Sequence, residues 1–143
     1  MEIIKIKRIN NDFKLEATNE NGNLITMDGS EAIGGSNLGF RPMQLLLSAV
    51  GGCSAIDVIS ILKKQKQIIT GFDIEVEGDR QKVEEFSLWK NIVLHFKISG
   101  EVDAEKAEKA IKLSLDKYCS VSKTLEPTAN ISYKLTVNNT LII

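Results

Sequence analysis

At 143 residues, 43% of them apolar and 26% charged, the chain has the length and composition of one soluble domain that can bury a sizeable core. Its 18 basic and 19 acidic residues leave a net charge of −1, which excludes the basic footprint of a broad nucleic-acid binder. The two cysteines, Cys53 and Cys119, lie far from any zinc-ligand spacing and His95 is the single histidine, so neither a disulfide framework nor a metal site is expected.

The opening stretch MEIIKIKRI has no basic n-region, apolar h-region or small-residue cleavage site, so no signal peptide is expected. Ile3–Ile9 and Phe13–Thr18 alternate as strands, with Asn10-Asn11-Asp12 as turn chemistry between them. Asn21-Gly22 is a hairpin signal and predicts a third strand over Asn23–Met27. Asp28–Gly39 reads as a loop of glycine and polar residues. Pro42 suits the first turn of a helix, which is expected to run to about Gln65, with Lys63, Lys64 and Lys66 at its end complementing the dipole. Apolar residues surround this helix from Leu45 to Leu62, which predicts burial on most faces, with a second subunit supplying part of the cover. The same stretch is the one segment apolar enough to suggest a membrane span. Asp57 and Gly51-Gly52 inside it favour a buried core helix, so no membrane contact is expected.

Phe72–Asp79 and Ser87–Ser99 alternate as a hairpin joined by the polar Arg80–Glu85. Asp103 is the expected N-cap of a second helix, whose stripe runs through Ala107, Ala110, Ile111, Ser114, Leu115 and Tyr118. Cys119 falls where that helix ends. Ser120–Leu125 forms another short helix stopped by Pro127, and Ile131–Val137 alternates as a final strand. No repeat or linker interrupts the chain, so residues 1–143 read as a single α+β domain.

Three stretches carry a resemblance: Pro42-Met43-Gln44-Leu45-Leu46-Leu47, Gly51-Gly52-Cys53-Ser54-Ala55-Ile56-Asp57-Val58 and Tyr118-Cys119-Ser120-Val121. With the element order and one cysteine in each main helical region, the sequence resembles the OsmC/Ohr family of osmotically inducible and organic hydroperoxide resistance proteins. It is most similar to a branch apart from the well-studied peroxidases. The resemblance implies an intertwined homodimer with antiparallel sheets packed around long central helices and active sites at the subunit interface. It implies cytoplasmic reduction of organic hydroperoxides in oxidative-stress defence, with Cys53 as nucleophile, Cys119 as resolving cysteine and an external dithiol as reductant. Such chemistry runs through a sulfenic acid and a disulfide and needs neither metal nor flavin.

The family's acidic residue directly after the helix-opening proline is replaced here by Met43, with Gln44 beside it. Of the three arginines, Arg41 at the helix start is the candidate cation, and Arg8 lies in the N-terminal strands outside a matching motif. Phe40, Met43 and Gln44 are the candidate substrate-pocket residues. These replacements support an alternative: a protein without turnover that holds a small apolar or electrophilic ligand in the interface pocket. Asp57, one turn beyond Cys53, reads as structural, because a carboxylate there would raise the thiol pKa. His95 is expected on the solvated face of its strand. Gly34-Gly35 is not followed by the pattern of a phosphate loop.

Overall fold

The computed structural model describes residues 1–143 and divides into two compact units, Met1–Leu46 and Leu47–Ile143. In the first, β1 (Lys5–Arg8), β2 (Leu15–Thr18) and β3 (Leu24–Met27) form an antiparallel meander in that order. Asparagine side chains build both turns. Asn10 Oδ1 accepts from the N–H groups of Asp12 and Lys14, and Asn19 Oδ1 accepts from those of Asn21 and Asn23. Gly22 adopts a φ of +81°, which glycine takes without steric cost.

After β3 the predicted loop is gathered round one carboxylate. Asp28 is almost fully buried and accepts from the N–H groups of Gly29, Ser36 and Leu38 at 2.7, 3.2 and 3.1 Å. Burial pushes its pKa up, but the three N–H donors and the charge of Arg41 outweigh that and hold the carboxyl below its ordinary value. Helix α1 (Pro42–Lys64) follows. Its start is capped from within: Gln44 Oε1 accepts from the Arg41 N–H at 3.0 Å, the returning half of a capping box.

The second unit carries β4 (Ile68–Lys82), β5 (Ser87–Glu101), β6 (Asn130–Val137) and β7 (Thr140–Leu141), hydrogen-bonded in that order. β4 and β5 are antiparallel, as expected, but β5 and β6 run parallel, so this sheet is mixed where antiparallel sheets were expected. The chain between them passes through α2 (Ala104–Leu113), a π turn (Ser114–Tyr118) and α3 (Ser120–Leu125), a crossover long enough to restore the strand direction. Asp103 caps α2 as predicted, accepting from the Lys106 N–H at 2.9 Å. Ile92, Leu94, Phe96 and Ile98 of β5 alternate into the core with Leu135 and Val137 of β6. Val50, Val58 and Leu62 of α1 and Ala107, Ala110 and Ile111 of α2 complete the same cluster.

Three further expectations change, for the β4–β5 link, the end of α2 and the setting of His95. The β4–β5 ladder continues through Arg80, Gln81 and Lys82, which the sequence marked as a link. These residues are exposed, so backbone pairing continues without an apolar alternation to reveal it. The α2 stripe stops short of Tyr118, which is half exposed. The intervening π turn adds a residue per turn and rotates Tyr118 off the buried face. Helix α1 is covered by its own chain on one face only. Val50, Gly51, Ser54, Val58 and Leu62 are buried, whereas Gly52 and Ile56 are exposed, Ile56 at 70%. By length and hydropathy α1 could cross a membrane, but three of its side chains belong to the fully buried core. His95 faces away from Leu94 and Phe96 as expected, but it is half-buried and its Nε2 lies 2.8 Å from Thr136 Oγ1.

Candidate functional site

The site grows from α1. Gly51 turns toward β4 so closely that a Cβ there would stand 2.7 Å from Val76 Cγ2. Gly52, next in line, would place a Cβ in open space. One glycine seats the helix against the sheet and its neighbour leaves the other side uncovered. Cys53 follows, half-buried and reduced.

Cys119 comes from the crossover. In an uninterrupted α-helix its N–H would reach Leu115, but here it donates to the Ser114 carbonyl at 2.7 Å and closes the π turn. Ser122 Oγ takes up the Leu115 carbonyl at 3.3 Å and the Cys119 carbonyl at 2.9 Å. The Cys119 sulfur accepts from the Ser122 N–H at 3.4 Å, which caps α3. The Leu115 carbonyl that the π turn leaves without its helical donor thus lies within reach of the Ser122 hydroxyl.

This arrangement makes the two predicted cysteines neighbours, with Cys53 acting on the Cys119 thiol, and both are free. Burial pushes the Cys119 thiol above its ordinary pKa, and the adjoining Cys53 adds to the rise, outweighing the Ser122 contacts that lower it. Beside the thiols runs a polar chain. The fully buried Ser54 and Ser114 hydroxyls are 3.0 Å apart, and Ser114 Oγ lies 2.8 Å from Asp57 Oδ2. A carboxylate only accepts, so Ser114 gives its one proton to Asp57 and receives that of Ser54.

The remaining predicted residues lie at the start of α1, in the first unit. Arg41 donates through Nη1 to Asn37 Oδ1 at 2.7 Å and to the Gly39 carbonyl at 3.4 Å. Arg8 donates to the carbonyls of Asp12 and Asn11 in the β1–β2 turn. Phe40 is half exposed, with its backbone bridging to β3, and Met43 is half-buried. Gln44 serves the helix cap already described. The sequence did not single out Ser54 or Ser114 as site residues. One signal was available, a serine within an otherwise buried stripe, because a buried hydroxyl requires a partner.

A long helix bearing one cysteine, packed on a mixed sheet whose crossover bears the other, makes this an α+β protein. The profile described as OsmC-like protein matches residues 34–134. Protein YhfA of Escherichia coli (strain K12) is 37% identical over 117 residues, spanning 81% of this chain and 84% of YhfA. The chain belongs to the OsmC-like family. A solved structure of a hypothetical protein from Aquifex aeolicus VF5 superposes with a TM-score of 0.78 at 28% identity, covering 96% of this chain and 98% of that one. An organic hydroperoxide resistance protein OsmC from Legionella pneumophila shares the fold, with a TM-score of 0.72 at 16% identity, covering 96% and 97%.

Proposed function

We propose that the protein reduces organic hydroperoxides through Cys53 and Cys119. The observation that carries this reading is that a half-buried thiol packs against the core cluster that holds a buried thiol whose pKa it helps to raise. Cys53 is the thiol an oxidant can reach, while Cys119 keeps its proton until it is needed. The Cys53 thiolate attacks the hydroperoxide, the O–O bond breaks, an alcohol leaves and Cys53 becomes a sulfenic acid. Cys119 then displaces hydroxide from that sulfur, water departs and a disulfide forms. An external dithiol restores both thiols by exchange. No step calls on a metal or flavin.

In this reading substrate arrives over the open side of α1 at Gly52. The protein works in the cytoplasm as a homodimer formed by the whole chain. What supports the dimer is the apolar face of α1, with Ile56 at its centre, that the chain itself leaves uncovered.

The test mixes reduced protein with cumene hydroperoxide and follows free thiols and intact mass. Loss of both thiols with one intramolecular disulfide per chain is expected, and Cys53→Ser should abolish it. Thiols that survive excess peroxide would overturn this function in favour of ligand binding without turnover.

A further inference from the structure

We propose that Ser114 is a positioning residue for disulfide formation, tying the helix that bears Cys53 to the turn that bears Cys119 through Ser54 and Asp57. The inference rests on the hydroperoxide-reductase reading and adds a residue to it.

The bonds link the two cysteine-bearing segments. Ser54 follows Cys53 in α1, and its hydroxyl meets that of Ser114. Ser114 in turn accepts the Cys119 N–H on its carbonyl, which leaves Cys119 a neighbour of Cys53. Asp57, one helical turn beyond Cys53, anchors the same Ser114 hydroxyl with a charged acceptor at 2.8 Å. Both Ser114 polar ends are therefore committed, one to each cysteine-bearing segment. Neither serine hydroxyl has access to solvent as a substitute partner, so the link is selective for this one geometry.

The step it serves is geometrically demanding. Cys119 Sγ must approach Cys53 Sγ along the axis of the breaking S–O bond. The new S–S bond forms as hydroxide leaves, taking the Cys119 proton as water. A π turn without its side-chain anchor has an easier alternative in the ordinary i→i+4 pattern, which would swing Cys119 round its axis and away from Cys53.

The experiment compares wild type, Ser114→Ala and Ser114→Thr, each reduced and treated with cumene hydroperoxide in the presence or absence of dimedone to trap sulfenic acid. Ser114→Ala should leave Cys53 oxidation near the wild-type rate and slow disulfide formation about tenfold or more, with sulfenic acid accumulating. Ser114→Thr, which keeps the hydroxyl, should recover most of that loss. Ser54→Ala reads the same chain from α1 without changing a charge, with the same split expected, where Ser114→Ala fails to fold. A parallel arm replaces hydroperoxide with diamide, which takes two electrons and two protons from the thiol pair directly. Slower pairing in that arm supports the positioning role even where wild type ignores hydroperoxide, so the two readings fail separately. Disulfide formation at the wild-type rate with diamide, or equal slowing of both hydroperoxide steps, would overturn the proposal.

Discussion

Replacing Gly51 and Gly52 by alanine, one at a time, separates two uses of the same residue on adjacent positions of α1. An interior helical glycine costs about 1 kcal/mol relative to alanine, so the backbone alone predicts an equal gain from each change. The surroundings differ. A Cβ on Gly52 meets nothing of its own chain within 4 Å, so Gly52→Ala keeps the gain and stabilises the single chain by about 1 kcal/mol. A Cβ on Gly51 would stand 2.7 Å from Val76 Cγ2, whereas carbon atoms in contact prefer about 3.5–4.0 Å. Valine on a strand is stiff at χ1 and does not swing aside freely, so overpacking here costs about 1–3 kcal/mol. Gain and cost together leave Gly51→Ala between neutral and about 2 kcal/mol destabilised. Gly52→Ala should therefore melt above wild type and Gly51→Ala at or below it, with each kcal/mol moving Tm by about 3–5 °C in a chain this long. Thermal and urea unfolding at several protein concentrations measures both. A Gly51→Ala protein as stable as Gly52→Ala would refute the packing argument. A Gly52→Ala protein that melts below wild type would refute the claim that this side of α1 is open in the molecule that unfolds.

Iodoacetamide at pH 8 should label Cys53 ahead of Cys119, whose thiol is buried and held above its ordinary 9.0; equal labelling in the folded protein would contradict that order. Asp28 has a folded pKa below its ordinary 3.8, so its contribution is complete above that pH and fades as the pH falls through the folded value. Asp28→Asn should thus unfold more easily than wild type at pH 7, with the gap closing in acid; a gap independent of pH would count against the carboxylate as the cause. Ile56→Asp places a charge on the uncovered face of α1. Light scattering should give a dimer mass for wild type and a monomer mass for the variant, and equal masses for the two would remove this face from the proposed interface.

Periodicity and capping made most of the elements legible. Alternation in Ile92–Ile98, Pro42 opening α1, Asp103 before α2 and Pro127 after α3 are local signals, and local backbone preferences act on them without help from the rest of the chain. The π turn left no comparable mark. It exchanges one backbone acceptor for the next, and Ser114, Leu115 and Tyr118 fit an ordinary helical stripe just as well. The parallel pairing of β5 and β6 was likewise hidden, because alternation tells which face a residue takes but not the direction of its neighbour.

The same division runs through the candidate site. Cys53, Cys119 and their family motifs were readable as residues, as was the oddity of two glycines inside a helix. That Gly51 meets Val76 while Gly52 meets nothing is a matter of which way each Cα points once α1 lies on β4. That the two cysteines become neighbours, and that Ser54, Ser114 and Asp57 form a chain between their segments, depends on stretches about sixty residues apart in sequence arriving together. Sequence alone determined which reactive groups the chain owns, because that is covalent identity. Only the tertiary structure decided their partners, because packing and hydrogen bonding are settled across the fold.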